Sequence, residues 1–258
     1  MSISTASPNL SKISRSPLGS QAPLIADELD LIDALFDLSG RELLEVGCGA
    51  ARLARALLER HPDSRLTGLE VDARQHERNL QRPHPRLRLL LAGAEAMPLP
   101  DACFDGVLML KSLHHVPPAV MDRALDEIAR VLRPGGWLHV SEPVYDGALN
   151  EIVRLFNDER EVRIAAQQAL DRALARPDSL WRAGEQRHFE MPVHFADFAA
   201  FERRMLHPSF ADHHVDAALA ALAGQDHRAV GGRDAFADPQ RDDQRQQRQR
   251  DLPGGREA

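Results

Sequence analysis

Residues 45–49, Glu-Val-Gly-Cys-Gly, set an acid and two glycines at the end of an apolar run. The run "LLEV" reads as a strand, and "ARLARALLE" behind the glycines has a helical period. Gly47 and Gly49 remove side chains at a strand-to-helix turn, which lets main chain approach a ligand. The alternative is a tight turn that only needs positive φ. A dinucleotide-binding turn carries a third glycine, and here that position is Arg52. About 20 residues on, "LTGLEVD" ends in an acid suited to ribose hydroxyls, Glu70 as the candidate and Asp72 as the runner-up. Further along, His114, His115, Glu142 and Asp146 are groups that can take a proton from an acceptor. A histidine at a strand end also serves as a packed wall. Tyr145, the sole tyrosine, suits either an acceptor contact or the core.

These groups need a scaffold that brings strand ends together. Strands are predicted at 42–46, 65–70, 86–91, 104–110 and 137–141, with helices at 24–37, 51–60, 73–81 and 118–132. Pro62, Pro83 and Pro134-Gly135-Gly136 punctuate the helix ends. Apolar strands alternating with helices imply a Rossmann-like, doubly wound α/β fold with a mainly parallel sheet. The switch point after the first strand and right-handed crossovers give the strand order 3-2-1-4-5. The link 86–104 is too short in helix content for a full crossover. Residues 148–175 read as one or two amphipathic helices, 187–195 as an edge strand interrupted by Pro192, and "DFAAFERRML" as helix.

Composition narrows the classes. The chain has 258 residues, 43% hydrophobic and 28% charged, which suits one domain with tails. A net charge of −7 without a basic stripe disfavours nucleic acid. Cys48 and Cys103 lack metal-ligand spacing, so no metal is expected and both read as free thiols of a reducing, cytoplasmic compartment. As the ends of opposite sheet edges they should not bridge. No apolar run reaches the roughly 18 residues of a membrane span, and no secretory segment opens the chain.

"AEAMPLPDACFDGVLMLKSLHHV" followed by "LDEIARVLRPGGWLHVSEP" resembles the class I S-adenosylmethionine-dependent methyltransferases. The resemblance is nearest to the small-molecule group that includes ubiquinone and menaquinone C-methyltransferases, and it covers roughly residues 24 to 143. It implies that Glu45, Gly47, Cys48 and Gly49 hold the methionine end of the cofactor, Glu70 the ribose, and Val71 the adenine face. The family usually has an Asp where this chain has Gly93, which leaves backbone around Gly93 and Ala94 for the adenine amino group. Lys111 and Ser112 match the end of strand four beside the sulfonium, and His114-His115 match a pair that shapes the site wall. The implied activity is methyl transfer to a small-molecule acceptor. Residues 148–185 would be a helical lid or substrate wall, with Leu149, Ile152, Val153, Leu155 and Phe156 suiting a hydrophobic acceptor. Two other classes stay open: a non-catalytic cofactor- or partner-binding relative, and a nicotinamide-dependent oxidoreductase.

The domain expected from this reading spans 23–224. Residues 1–22, rich in Ser and Pro, read as a mobile tail. Residues 225–258 lose apolar periodicity and read as a disordered tail, either natural or from a shifted reading frame in a GC-rich gene. The family's last antiparallel strand is not visible there, so the flank of the fifth strand is expected to lack its usual partner.

Overall fold

The structure, a computed structural model, describes residues 9–11 and 22–206. These fall into two compact units. Of the described residues, the first unit holds those up to Tyr145 together with Glu159–Pro192, and the second holds Asp146–Asp158 and 193–206.

The first unit is built on one parallel sheet. Its strands are β1 (Asn9–Ser11), β2 (Glu42–Val46), β3 (Arg65–Glu70), β4 (Leu87–Leu91), β5 (Phe104–Leu110), β6 (Leu132–Ser141) and β7 (Arg182–Ala183). They lie in the order β4-β3-β2-β5-β6-β1-β7, and every pairing between them is parallel. The segment β4-β3-β2-β5-β6 is the 3-2-1-4-5 order expected from the sequence. Period-2 alternation sends side chains to opposite faces. Leu44, Val107, Met109 and Leu138 enter one apolar cluster, whereas Leu43, Leu66 and Leu108 enter the other.

Helices cover both faces. α1 (Glu28–Leu35) and α2 (Arg52–Arg60) contribute Leu29, Ile32, Leu57 and Leu58 to the second cluster. α4 (Met121–Val131) and α6 (Arg160–Ala175) contribute Leu125, Ile128, Ala169 and Leu170 to the first. α3 (Ala73–Leu80) follows β3. In the second unit, α5 (Ala148–Val153) and α7 (Phe198–Phe201) are accompanied by a cluster of Ile152, Phe195, Phe201 and Leu206, with Leu149 and Phe156 packed on it.

Several expectations are corrected. α1 starts later than the periodicity suggests, because the Asp27 side chain accepts from the Leu29 amide at 2.9 Å and so caps the helix there. α4 starts at Met121, since Pro117-Pro118 shape a 3₁₀ turn first. β6 reaches back to Leu132 through a register shift, with Gly135 at φ 80°. The 187–195 strand does not form: Glu190 makes a single bridge to Leu24, next to Pro192, which has no amide to donate. The flank of β6 is not bare. Asn9–Ser11, from the stretch expected to be a tail, pairs with Trp137–His139, because an open strand edge recruits any extended chain that reaches it. The residues 225–258 lie outside the described ones. Cys48 and Cys103 are free.

Candidate functional site

The chain leaves β2 through Gly47 (φ 74°) and Gly49 (φ 51°), at the carboxyl edge of the sheet. A Cβ on Gly47 would lie 2.7 Å from Ser112 Cβ, so the end of β5 packs directly on this turn. Ser112 Oγ completes the contact by donating to the Val46 carbonyl at 2.7 Å. A Cβ on Gly49 would meet nothing within 4 Å, so that side of the turn faces open space. The Gly49 amide donates to Glu70 Oε2 at 2.8 Å, and its carbonyl accepts from Asn79 Nδ2 at 2.7 Å. Glu70 Oε1 accepts from the amides of Val71 and Asp72, each at 2.9 Å. Asp72 instead caps α3, accepting from the Arg74 amide at 3.0 Å. Of the two acids, only Glu70 touches the glycine turn.

Glu45 is 5% exposed, and its Oε2 has no hydrogen-bond partner among the described residues. Burial pushes its carboxyl up to about 8, against a backbone hydrogen bond from Ala54 and with Glu70 nearby adding to the rise. Cys48 Sγ donates a weak hydrogen bond to the Gly49 carbonyl at 3.9 Å. Its side chain lies in the apolar cluster under α2, and burial with Glu45 and Glu70 pushes its thiol well up. α2 begins behind Ala51, a non-glycine residue at φ 52°, with no side-chain cap on its first amides. A helix start of this kind carries partial positive charge.

Around the turn, Val71 is 74% exposed and Ala94 is buried in the first cluster. A Cβ on Gly93 would lie 2.5 Å from Glu95 Oε2, so the Glu95 carboxylate lies where a side chain at 93 would project. Lys111, at φ 54°, ends β5 with its Nζ paired to the buried Glu28 carboxylate. Burial nearby pushes His139 down to about 4, so that imidazole is neutral.

His114 is 4% exposed, and its Nδ1 is hydrogen-bonded to Glu142 Oε2. Glu142 Oε1 accepts from the Leu113 amide at 2.8 Å, which locks the carboxylate against the turn. The His115 ring lies 4.1 Å from the His114 ring, centroid to centroid. Loss of surrounding water, with the His114 ring beside it, holds His115 below the ordinary imidazole value. Against the cost of its own burial, the Arg163 guanidinium at 2.6 Å holds Glu159 below the usual carboxylate range. The Arg160 guanidinium lies 4.7 Å over the Tyr145 ring. Asp146 belongs to the second unit, where it accepts from the Gly147 amide at 2.7 Å.

Glu45, Gly47, Cys48, Gly49, Glu70 and Val71 therefore converge on one turn, with Ser112 packed on it. The sequence reading missed Asn79, Glu95, Glu28 and Glu159. Asn79 lies 30 residues from Gly49, and Glu28 lies 83 residues from Lys111, beyond any local signal. Only Glu95, two positions from Gly93, carried one.

Residues 44–140 match the family model described as a methyltransferase domain. An uncharacterized methyltransferase of Mycobacterium tuberculosis is 38% identical over 110 residues, 42% of this chain and 42% of that protein. The 27-O-demethylrifamycin SV methyltransferase of Amycolatopsis mediterranei is 38% identical over 115 residues, 40% of this chain and 39% of that protein. The phthiotriol/phenolphthiotriol dimycocerosates methyltransferase 1 of Mycobacterium ulcerans is 42% identical over 108 residues, 40% of this chain and 37% of that protein. The match thus spans about two fifths of these relatives' lengths. Among solved structures, a SAM-dependent methyltransferase from Aquifex aeolicus has a TM-score of 0.44 at 20% identity, over 56% of this chain and 79% of that one. One from Mesorhizobium loti has a TM-score of 0.38 at 23% identity, over 43% of this chain and 51% of that one. The Glu-x-Gly-x-Gly turn and most of the parallel sheet thus lie within residues 44–140, the stretch that matches the methyltransferase domain model.

Proposed function

We propose that the chain transfers a methyl group from S-adenosylmethionine to a small-molecule acceptor. The observation that carries this reading is Glu45. A buried carboxyl oxygen without a partner costs free energy until a donor meets it, and a cation there favours loss of its proton. Here it lies at the glycine turn, where the cofactor's ammonium group would meet it. The uncapped start of α2 suits the cofactor's carboxylate, Glu70 its ribose, and exposed Val71 its adenine face. Backbone at Gly93 and Ala94, with the Glu95 carboxylate, would meet the adenine amino group. Glu28 neutralises Lys111, so the strand-five end does not repel a cationic ligand.

When bound, the cofactor supplies an electrophilic methyl on sulfur. The protein's part is to orient the acceptor, exclude water and take a proton where the acceptor loses one. His114 and His115, beside Glu142, suit an acceptor hydroxyl. The rifamycin-type relative is named for methylation at an oxygen. Of the 148–185 stretch, residues 159–185 share the first unit with the turn and are the proposed acceptor wall. Exposed Ile164 and Leu180 support a hydrophobic acceptor. Incubation with labelled S-adenosylmethionine and a cell extract tests the reading: label should appear in a small, organic-extractable product. Tight cofactor binding with no labelled product would favour a non-catalytic relative.

A further inference from the structure

We propose that His114, His115 and Glu159 form a binding site for a divalent transition-metal ion. One nitrogen from each imidazole and a Glu159 carboxylate oxygen lie within 4.8 Å of one another. His114 Nε2 and Glu159 Oε2 are 3.9 Å apart. An ion bonded at about 2.0–2.2 Å to each ligand in a tetrahedral site holds them roughly 3.4 Å apart, a closure of up to about 1.4 Å at the worst pair. Two imidazoles and one carboxylate are the donor set of zinc-class ions, not of magnesium or calcium, which take oxygen.

A second observation supports the site. The Glu142 carboxylate binds His114 Nδ1, and the Leu113 amide fixes that carboxylate. A carboxylate behind a histidine sets the tautomer and turns the other nitrogen outward as a ligand, the arrangement found behind metal-bound histidines. That nitrogen faces the Glu159 carboxylate, so the two donor atoms lie on either side of the space that an ion would fill. The His115 side chain is exposed and open to an entering ion. Arg163 opposes the ion, since its guanidinium donates to Glu159 Oε2 at 2.6 and 3.1 Å. Glu142 and Glu159 outweigh it by one negative charge. The three ligands leave coordination positions open, and an oxygen anion completes them. That this oxygen belongs to the methyl acceptor rests on the function proposed above; metal binding itself does not.

The test is calorimetric titration of the untagged full chain with Zn²⁺, and with Co²⁺ read by its visible absorption. The expected result is one ion per chain and intense cobalt bands of a four- or five-coordinate site. His115→Ala and Glu159→Gln should each weaken binding at least tenfold. Glu142→Gln should weaken it by roughly 10–100-fold through His114. Circular dichroism confirms that each variant is folded, and His115→Ala, at an exposed position, guards against loss of fold. Absence of binding, or affinity unchanged in His115→Ala and Glu159→Gln, overturns the site. S-adenosylmethionine titration of the same samples separates this failure from failure of the methyl-transfer reading.

Discussion

Glu70 and Gly49 are joined by a 2.8 Å hydrogen bond that ties the end of β3 to the glycine turn after β2. The same carboxylate collects two further amides, so the side chain proposed to meet the ribose also shapes the turn. Glu70→Ala should therefore weaken S-adenosylmethionine binding by about 1.5–3 kcal/mol, the range for hydrogen bonds to a charged group. Asp72→Ala removes the α3 cap and should lower thermal stability slightly while sparing affinity. Calorimetry on both variants decides; a larger affinity loss in the Asp72 variant would move the ribose role to Asp72.

Asn79 holds the other side of Gly49. It is buried, and Gln75 Nε2 donates to its Oδ1 at 2.9 Å. Asn79→Leu strands the Gly49 carbonyl and should cost about 1–3 kcal/mol of stability. Denaturant unfolding reads this. A variant as stable as the parent would show that the carbonyl finds water instead.

Glu45 gives a pH signature. Its folded value of about 8 lies above the ordinary 4.5. Between these values the unfolded chain ionises while the folded chain keeps its proton. The folded state then binds more protons, so stability falls as pH rises through that window, by up to about 1.4 kcal/mol per pH unit. Glu45→Gln cannot ionise and should flatten this slope. Unfolding free energies at about pH 5 and about pH 8 test it, and identical slopes for parent and variant would refute the assignment.

Gly93 and Glu95 share one space. Gly93→Ala would set a Cβ 2.5 Å from the present Glu95 Oε2, so the flexible carboxylate must shift. Both Gly93→Ala and Glu95→Ala should lower cofactor affinity several-fold, with little change in melting temperature. Unchanged affinity in both would leave adenine recognition to the backbone alone.

The thiols differ in access. Cys48 is buried with a raised thiol value, and Cys103 is partly exposed. Thiol reagent should label one cysteine per native chain, Cys103, and Cys48 only on unfolding. Rapid labelling of Cys48 would mean that the turn opens readily.

The strands at 42–46, 65–70 and 104–110 were legible to the residue, because each is a short leucine-bearing segment between turn or helix signals. The turn motif was legible for the same local reason: Glu45, Gly47 and Gly49 are five residues of chain. Glu70 needed only the spacing rule. What pairs with what across the fold was not legible. Asn79 looks like any polar residue on a short helix until β2 and β3 bring Gly49 to it. Glu159 looks like a solvated charge until α6 packs on the turn holding His114. Asn9–Ser11 has no strand pattern of its own and is strand only because the β6 edge accepts it. The 187–195 segment had the pattern without the edge.

The turn around Glu45 and Gly49 is the proposed S-adenosylmethionine site. Parallel calorimetric titrations of the parent chain with S-adenosylmethionine and with NADH test it most directly. Saturable, one-to-one binding of S-adenosylmethionine, weakened in Glu45→Gln and Glu70→Ala, is expected, with no heat of binding for NADH. Binding of NADH in preference to S-adenosylmethionine, or S-adenosylmethionine binding indifferent to both substitutions, would contradict it.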